Sequence, residues 1–204
     1  MDYTELTRVK SEMQSSKTTQ DALLSTLITS ASRAIDRKCT GVPDPDAVDY
    51  FKLEPKTGEL LNGIINNAGN ILVYPHKPLI TLVSSFEYRL RPFDPWESVD
   101  VGRIAVDGKR AEAYPQTVKY LSTRCQVRIS YTGGFAALSA DLPSDLIEAA
   151  TVLAIRYYKE AETGLSDAIG VAELATMVYT KAIPVRVLDM LQPYIRTVGW
   201  RFVA

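Results

Sequence analysis

Few residues in this chain have the chemistry to act on a substrate, and their spacing gives them no common task. His76 is the only histidine. It lies in Tyr74-Pro75-His76-Lys77-Pro78, a turn-like stretch that reads as solvated, and no nucleophile motif accompanies it for a Ser-His-Asp arrangement. Cys39 and Cys125 are the two cysteines. They form no C-x-x-C pair, so zinc or thioredoxin-like chemistry has no support, and they read as small apolar residues. Asp44, Asp46 and Asp49 are closely spaced, but a calcium loop also needs a glycine at its sixth position and a glutamate at its twelfth, and neither is present. Glu160 and Glu162 read as exposed charges near a helix end. A carboxylate pair for glycoside chemistry is defined by its separation in space, so the sequence leaves that reading open. Neither a phosphate-binding loop nor G-x-G-x-x-G occurs, and Gly133-Gly134 reads as a turn. No catalytic residue, metal ligand or cofactor is assigned, and the chain is expected to be a non-enzyme.

Composition narrows the partners. Hydrophobic residues make up 46% and charged residues 23% of the 204 positions, ordinary for a globular chain with a real core. The net charge is −1, so no overall pull toward nucleic acid or an anionic membrane is expected. Arginines and lysines are spread out (Arg89, Arg91, Lys109, Arg110, Arg124, Arg128, Arg186, Arg196, Arg201), with no basic run interleaved with aromatics. Contact with DNA would therefore be passing and non-specific. Met1-Asp2-Tyr3-Thr4-Glu5 lacks the pattern of a signal peptide, and no apolar run approaches the roughly 18 residues of a membrane span. Use in the cytoplasm and no membrane partner are expected.

The elements that must position these residues fall into three blocks. Leu6, Val9 and Met13 predict a short helix over about 4–14. Thr18 or Thr19 caps a second helix, in which Leu23, Leu24, Leu27, Ile28, Ala31 and Ile35 form an apolar stripe. Ser25, Thr29, Ser32, Arg33 and Asp36 fall largely outside that stripe. From Val42 onward, Pro43, Pro45 and Pro55 exclude regular helix. Strand-prone runs follow at Val48–Leu53, Ile71–Tyr74, Leu79–Tyr88, Gly102–Val106, Thr117–Leu121 and Gln126–Tyr131. Asn66–Asn70 and Asp107-Gly108 serve as turns, the latter as a tight hairpin. Val127, Ile129 and Tyr131 alternate with Arg128 and Ser130, giving that strand one dry face. Arg91-Pro92-Phe93-Asp94-Pro95-Trp96 reads as a loop whose two large aromatics either pack on the β unit or form a contact surface, and packing is the expectation.

Pro143 opens another helix, with Leu146, Ala149, Ala150, Leu153, Tyr157 and Ala161 on one stripe and Gly164 as its stop. Residues 165–170 look loop-like, and Val171–Tyr179 fits helix or extended chain. Pro184 starts a last helix with Val185, Leu188, Leu191 and Tyr194 on one side. The fold class is α+β. A helical bundle comes from the N- and C-terminal segments (1–42 and 134–196), with a β-rich insertion at 43–133 and a C-terminal tail at 197–204. Trp200, Arg201 and Phe202 put more apolar area in that tail than sits comfortably in water.

The two ends carry a resemblance. Tyr3-Thr4-Glu5-Leu6-Thr7-Arg8-Val9-Lys10, followed by Asp21 to Ile35 in the pattern D-x-x-L-x-x-L-I-x-x-A-S-x-x-I, resembles the opening of tailed-phage head–tail connector proteins, also called adaptor or head-completion proteins. Ile129-Ser130-Tyr131-Thr132-Gly133-Gly134-Phe135 is similar to that family's strand-to-turn segment. Leu142-Pro143-Ser144-Asp145-Leu146, an alanine-rich helix ending Tyr157-Tyr158, and Ile183-Pro184 before a final helix follow in the family's order. The match covers about half the chain. Cys39-Thr40-Gly41-Val42 departs from the Arg and aromatic often found after the long helix, and the β region is large for the family.

The resemblance implies a structural subunit that assembles as a ring, usually of twelve copies, beneath the portal protein at the capsid vertex. Such a ring extends the DNA channel and meets the next head-completion or tail-terminator protein. It implies location in the virion at the head–tail junction, with assembly in host cytoplasm. For contact with the portal or a neighbour, Trp200, Arg201, Phe202 and Arg196 are the candidates. For contact within the ring, the candidates are Leu165, Ser166, Val171 and Tyr179 in segment 165–183. A cytosolic ligand- or protein-binding module built on the β-rich insert is the alternative.

Overall fold

A computed structural model of the chain describes residues 1–40, 49–116, 124–163, 168–171, 176–179 and 183–196. The expected strand at Thr117–Leu121, the stops at Gly41 and Gly164 and the tail 197–204 lie outside them. The fold is mixed α+β, and the chain divides into two compact units, Met1–Asp49 with Leu138–Ala204, and Tyr50–Ala137.

In the helical unit, α1 spans Leu6–Glu12, α2 Asp21–Thr40, α3 Ser144–Thr163 and α4 Val185–Leu191. Alpha2 and α3 form the main helix pair. Ala31, Ala34, Ala149, Ala150 and Ala154 line their buried faces, and small residues let the backbones approach closely. Leu24, Ile28, Ile35, Leu146 and Leu153 fill the layer around them, each contributing roughly 1.5–3 kcal/mol by leaving water.

The buried face of α2 is rotated from the sequence expectation. Leu23 is 44% exposed, whereas Ser32 and Asp36 are fully buried. The cause is Tyr3, itself buried. Its backbone N–H donates to Ser32 Oγ at 3.0 Å and its hydroxyl donates to the Asp36 carboxylate, so a polar strip of α2 is satisfied inside the unit. Likewise Tyr158, not Tyr157, is the tyrosine of α3 that is fully inside, its hydroxyl donating to Gln20 Oε1 at 2.5 Å. In α4, Val187 and Leu191 are buried and Val185 is exposed. Residues 165–183 contain an antiparallel strand pair, β8 (Ala168–Val171) with β9 (Thr176–Tyr179). Ala168–Gly170 is therefore extended chain and not loop.

The second unit is one antiparallel sheet. Its strands are β1 (Glu54–Ile65), β2 (Ile71–Val73), β3 (Ile80–Arg89), β4 (Glu97–Val99), β5 (Ile104–Asp107), β6 (Arg110–Ala113) and β7 (Arg124–Gly133). Their spatial order is β4-β3-β7-β1-β2-β6-β5. The far edge curls back, and Ile80 N–H donates to Gly108 O at 2.6 Å, so the sheet nearly closes as a barrel. Cys125, Val127, Ile129 and Tyr131 on β7 point inward with Val83, Phe86 and Tyr88 on β3 and Ile71 and Val73 on β2. The expected dry face of β7 is thus the centre of the core. Two register shifts in β3, between Ile80 and Leu82 and between Val83 and Ser85, each add an outward residue, which leaves Leu82 60% exposed.

Strand β1 is the longest in the sheet and was not expected. Gly63 explains part of it: a Cβ there would stand 2.7 Å from Cys125 Sγ and 2.8 Å from Val127 Cγ2, so only glycine lets β1 lie on β7. In contrast, Val48–Leu53 is not a strand over its described part. Tyr50 and Phe51 form a turn, and Lys52 alone makes a bridge, to Ala136.

Candidate functional site

His76 stands on an exposed turn with its Nδ1 against the Glu59 carboxylate. No group of three or more His, Cys, Asp or Glu residues among those described is placed to hold a metal ion. Both cysteines are free and buried. Burial first, and then the nearby Asp36 charge, pushes the Cys39 thiol up to about 12, and burial pushes Cys125 up to about 11. Neither is a ready nucleophile at neutral pH. Of the three spaced aspartates, Asp44 and Asp46 lie outside the described residues. Asp49 is engaged by Arg33 at 2.9 Å and by the Met1 amine.

Two charge clusters hold segments in place. Arg33 bridges Asp36 (3.4 Å) and Asp49 (2.9 Å). At the base of the sheet, Lys77 is 4% exposed; its ammonium meets Glu54 at 2.9 Å and donates to Lys52 O at 3.0 Å. Burial raises the pKa of Asp49 and of Glu54, but the amine and Arg33 around Asp49, and Lys77 and Lys56 around Glu54, outweigh it and leave both depressed. Both carboxylates bind their proton less tightly folded than unfolded. Their stabilisation is present above the unfolded value, about 4, and is lost as pH falls through the lower folded value. The urea midpoint of the wild type is expected to fall steeply below about pH 4. It should fall less steeply in Asp49→Asn with Glu54→Gln; parallel curves would remove these two groups as the cause.

Of the expected interface residues, Arg196, Val171 and Tyr179 are among those described. Arg196 is half-buried, and its backbone N–H donates to Cys39 O at 2.8 Å, which ties the end of the last helical turn to α2. Val171 stands opposite Thr176 and Tyr179 opposite Ala168, at the two ends of the β8–β9 ladder. Leu165, Ser166, Trp200, Arg201 and Phe202 lie outside the described residues.

The two aromatics of the 91–96 loop divide between the expected packing and exposure, and other large apolar residues are also at the surface. Trp96 does pack on the β unit, lying under the guanidinium groups of Arg89 (4.5 Å) and Arg128 (4.9 Å). Phe93, expected to pack as well, is 99% exposed. Leu60 on β1 and Leu138 in the helical unit are each 66% exposed. What separates the two aromatics is the Arg89 and Arg128 pair over Trp96, a tertiary contact with no local sequence signal.

No family model matches the chain, and no curated protein sequence does. Solved structures do. The neck of an empty gene transfer agent (GTA) particle computed with C6 symmetry contains a chain 18% identical to this one, covering 96% of this chain and 92% of that one, with a TM-score of 0.50. That likeness gives the fold. The virion of a native GTA particle contains a chain 22% identical, covering 88% and 81%, with a TM-score of 0.48. The neck of a native GTA particle computed with C12 symmetry contains one 18% identical, covering 89% and 87%, with a TM-score of 0.45. Over most of its length, then, the chain is structurally similar to a component of a phage-like particle's neck. Among the described residues, no helix is long and apolar enough to cross a membrane.

Proposed function

We propose that the protein is a structural, non-enzymatic subunit of a head–tail connector: a ring that docks beneath a portal, extends the DNA channel and joins head to tail. The carrying observation is the likeness to a neck chain over nearly the full length of both proteins, at a TM-score of 0.50. The order of the terminal motifs, which resembles that of connector proteins, supports the same reading. In this reading the helical unit, Met1–Asp49 with the chain from Leu138, is the ring-forming frame, Tyr50–Ala137 is the inserted part, and the tail 197–204 reaches the portal. Trp200, Arg201 and Phe202 make that tail contact, and the 165–183 segment packs between neighbours.

Native mass spectrometry of the purified protein over a wide concentration range, with images of the same samples, tests it. Closed rings of about a dozen copies are expected. A two-fold dimer at every concentration would remove the ring. Deleting 197–204 is expected to reduce portal docking at least tenfold while leaving helical content unchanged. Undiminished docking would reassign the tail. One observation favours the binding module instead: an open cavity of about 490 Å³ in the β unit, lined by Tyr88, Glu97, Asp100, Arg103, Tyr114 and Gln116. That module predicts a saturable ligand and no ring.

A further inference from the structure

Two features of the described surface complement each other. The first is the β3–β4 connection, residues 90–96. Phe93 stands fully in water, yet its loop is not slack. Asp94 N–H donates to Arg91 O at 3.1 Å, and the Asp94 carboxylate accepts from Arg91 N–H at 3.0 Å. Pro92 and Pro95 fix two backbone angles, and Trp96 anchors the loop's end under two arginines. A ring held this way loses little freedom on docking, which is what a preformed anchor needs. Beside it the exposed Arg91 guanidinium makes no ion pair among the described residues.

The second feature belongs to the helical unit. A cavity of about 220 Å³ is lined by Tyr3, Thr4, Glu5, Arg8, Ala140 and Ile147. It is smaller than the roughly 300–1,000 Å³ of small-molecule sites and suits a single inserted side chain. Arg8 is already engaged, with Glu148 at 3.3 Å and Glu12 at 3.4 Å. Glu5, exposed at the rim, meets the Thr7 hydroxyl at 3.4 Å and has no cation within ion-pair distance among the described residues. The neighbouring Leu138 is also largely exposed.

We propose that Phe93 of one copy seats in this cavity of the next copy, with Arg91 meeting Glu5. The occupant is a second copy because both halves of the contact lie on this chain: among the described residues, an uncovered ring beside an unmatched cation, and an uncovered recess beside an unmatched anion. Such a contact is heterologous. It leaves a pair of copies with one free knob and one free recess, so it propagates, and it closes as a ring when the rotation between neighbours permits. The inference rests on the ring reading above and specifies how neighbours hold each other.

Sedimentation equilibrium and native mass spectrometry on wild type, Phe93→Ser, Arg91→Glu, Glu5→Arg and the double charge reversal test it. All three residues are exposed, and circular dichroism checks that the variants fold. Phe93→Ser is expected to weaken association about 30-fold, the scale of an interface hot spot. Each single reversal should weaken it about tenfold, and the double reversal should recover most of the loss. Rings that persist unchanged in Phe93→Ser and Arg91→Glu overturn this contact and leave the ring reading standing. If wild type, but not Phe93→Ser, also binds purified portal under those conditions, the knob faces the portal instead. Single losses without recovery in the double overturn the Arg91–Glu5 pairing. A wild type that forms no ring overturns the contact and the ring reading together.

Discussion

Replacing Asp36 with alanine is expected to cost about 3–5 kcal/mol, because it breaks a buried charged cluster from one side. Asp36 is fully buried on α2. Its carboxylate accepts from the Tyr3 hydroxyl, from Asp49 N–H at 3.2 Å and from Arg33 at 3.4 Å. Alanine removes all three acceptances at once and leaves a gap that the helix backbone cannot close. Tyr3→Phe removes one donor only and should cost about 1 kcal/mol. The double variant should cost less than the sum of the two, because the lost contact is shared. Urea unfolding followed by circular dichroism measures each value. A loss below about 1 kcal/mol for Asp36→Ala would show that the cluster is dispensable. The segment before α1 depends on the same contact, so cleavage by a protease within residues 1–5 should also accelerate in Asp36→Ala.

Gly134→Ala is expected to cost roughly 4 kcal/mol, combining backbone strain with overpacking at about 1–3 kcal/mol each. Gly134 has φ +123°, a conformation that side chains rarely adopt, and a Cβ there would lie 2.2 Å from Lys52 O and 2.6 Å from Leu53 Cα. The obstruction is backbone, so no rotamer change relieves it. Leu53 and the flanking residues carry the hydrogen bonds that seal the base of the sheet, Leu53 N–H to Ala136 O and Phe135 N–H to Phe51 O, both at 2.8 Å. If the two units melt in separate steps, Gly134→Ala should move the sheet's transition and Asp36→Ala the helical one. A Gly134→Ala protein with an unchanged midpoint would contradict the close approach of these two backbone segments.

Legibility in the sequence followed the strength of the local pattern. Alpha2 was legible because Leu24, Ile28, Ala31 and Ile35 recur at helical spacing, and β7 because Val127, Ile129 and Tyr131 alternate with polar residues. The rotation of α2's buried face was not legible. Ser32 and Asp36 are inside only because Tyr3, far away in sequence, supplies their partners. Strand β1 was hidden by Pro55, Gly58, Asn62 and Gly63, which argue for a loop when taken alone; the crowding that requires Gly63 comes from β7 and β2. Beta4 has three residues and no pattern to read. Of the candidate site, the sequence identified the 91–96 loop but not which aromatic would be covered. That depended on Arg89 and Arg128 lying side by side across β3 and β7.

The chain enters and leaves the sheet through one doorway. The Phe51 and Phe135 rings meet at 5.8 Å, tilted by 54°, Lys52 bridges Ala136 in parallel, and two backbone hydrogen bonds stitch the incoming and outgoing segments. A segment whose two ends meet like this behaves as a graft. It can be lengthened, shortened or exchanged for another at the same seam, because the stock sees only two adjacent cut ends whatever lies beyond them. Relatives that share the helical stock while bearing unrelated grafts, or none, are the expected evolutionary consequence.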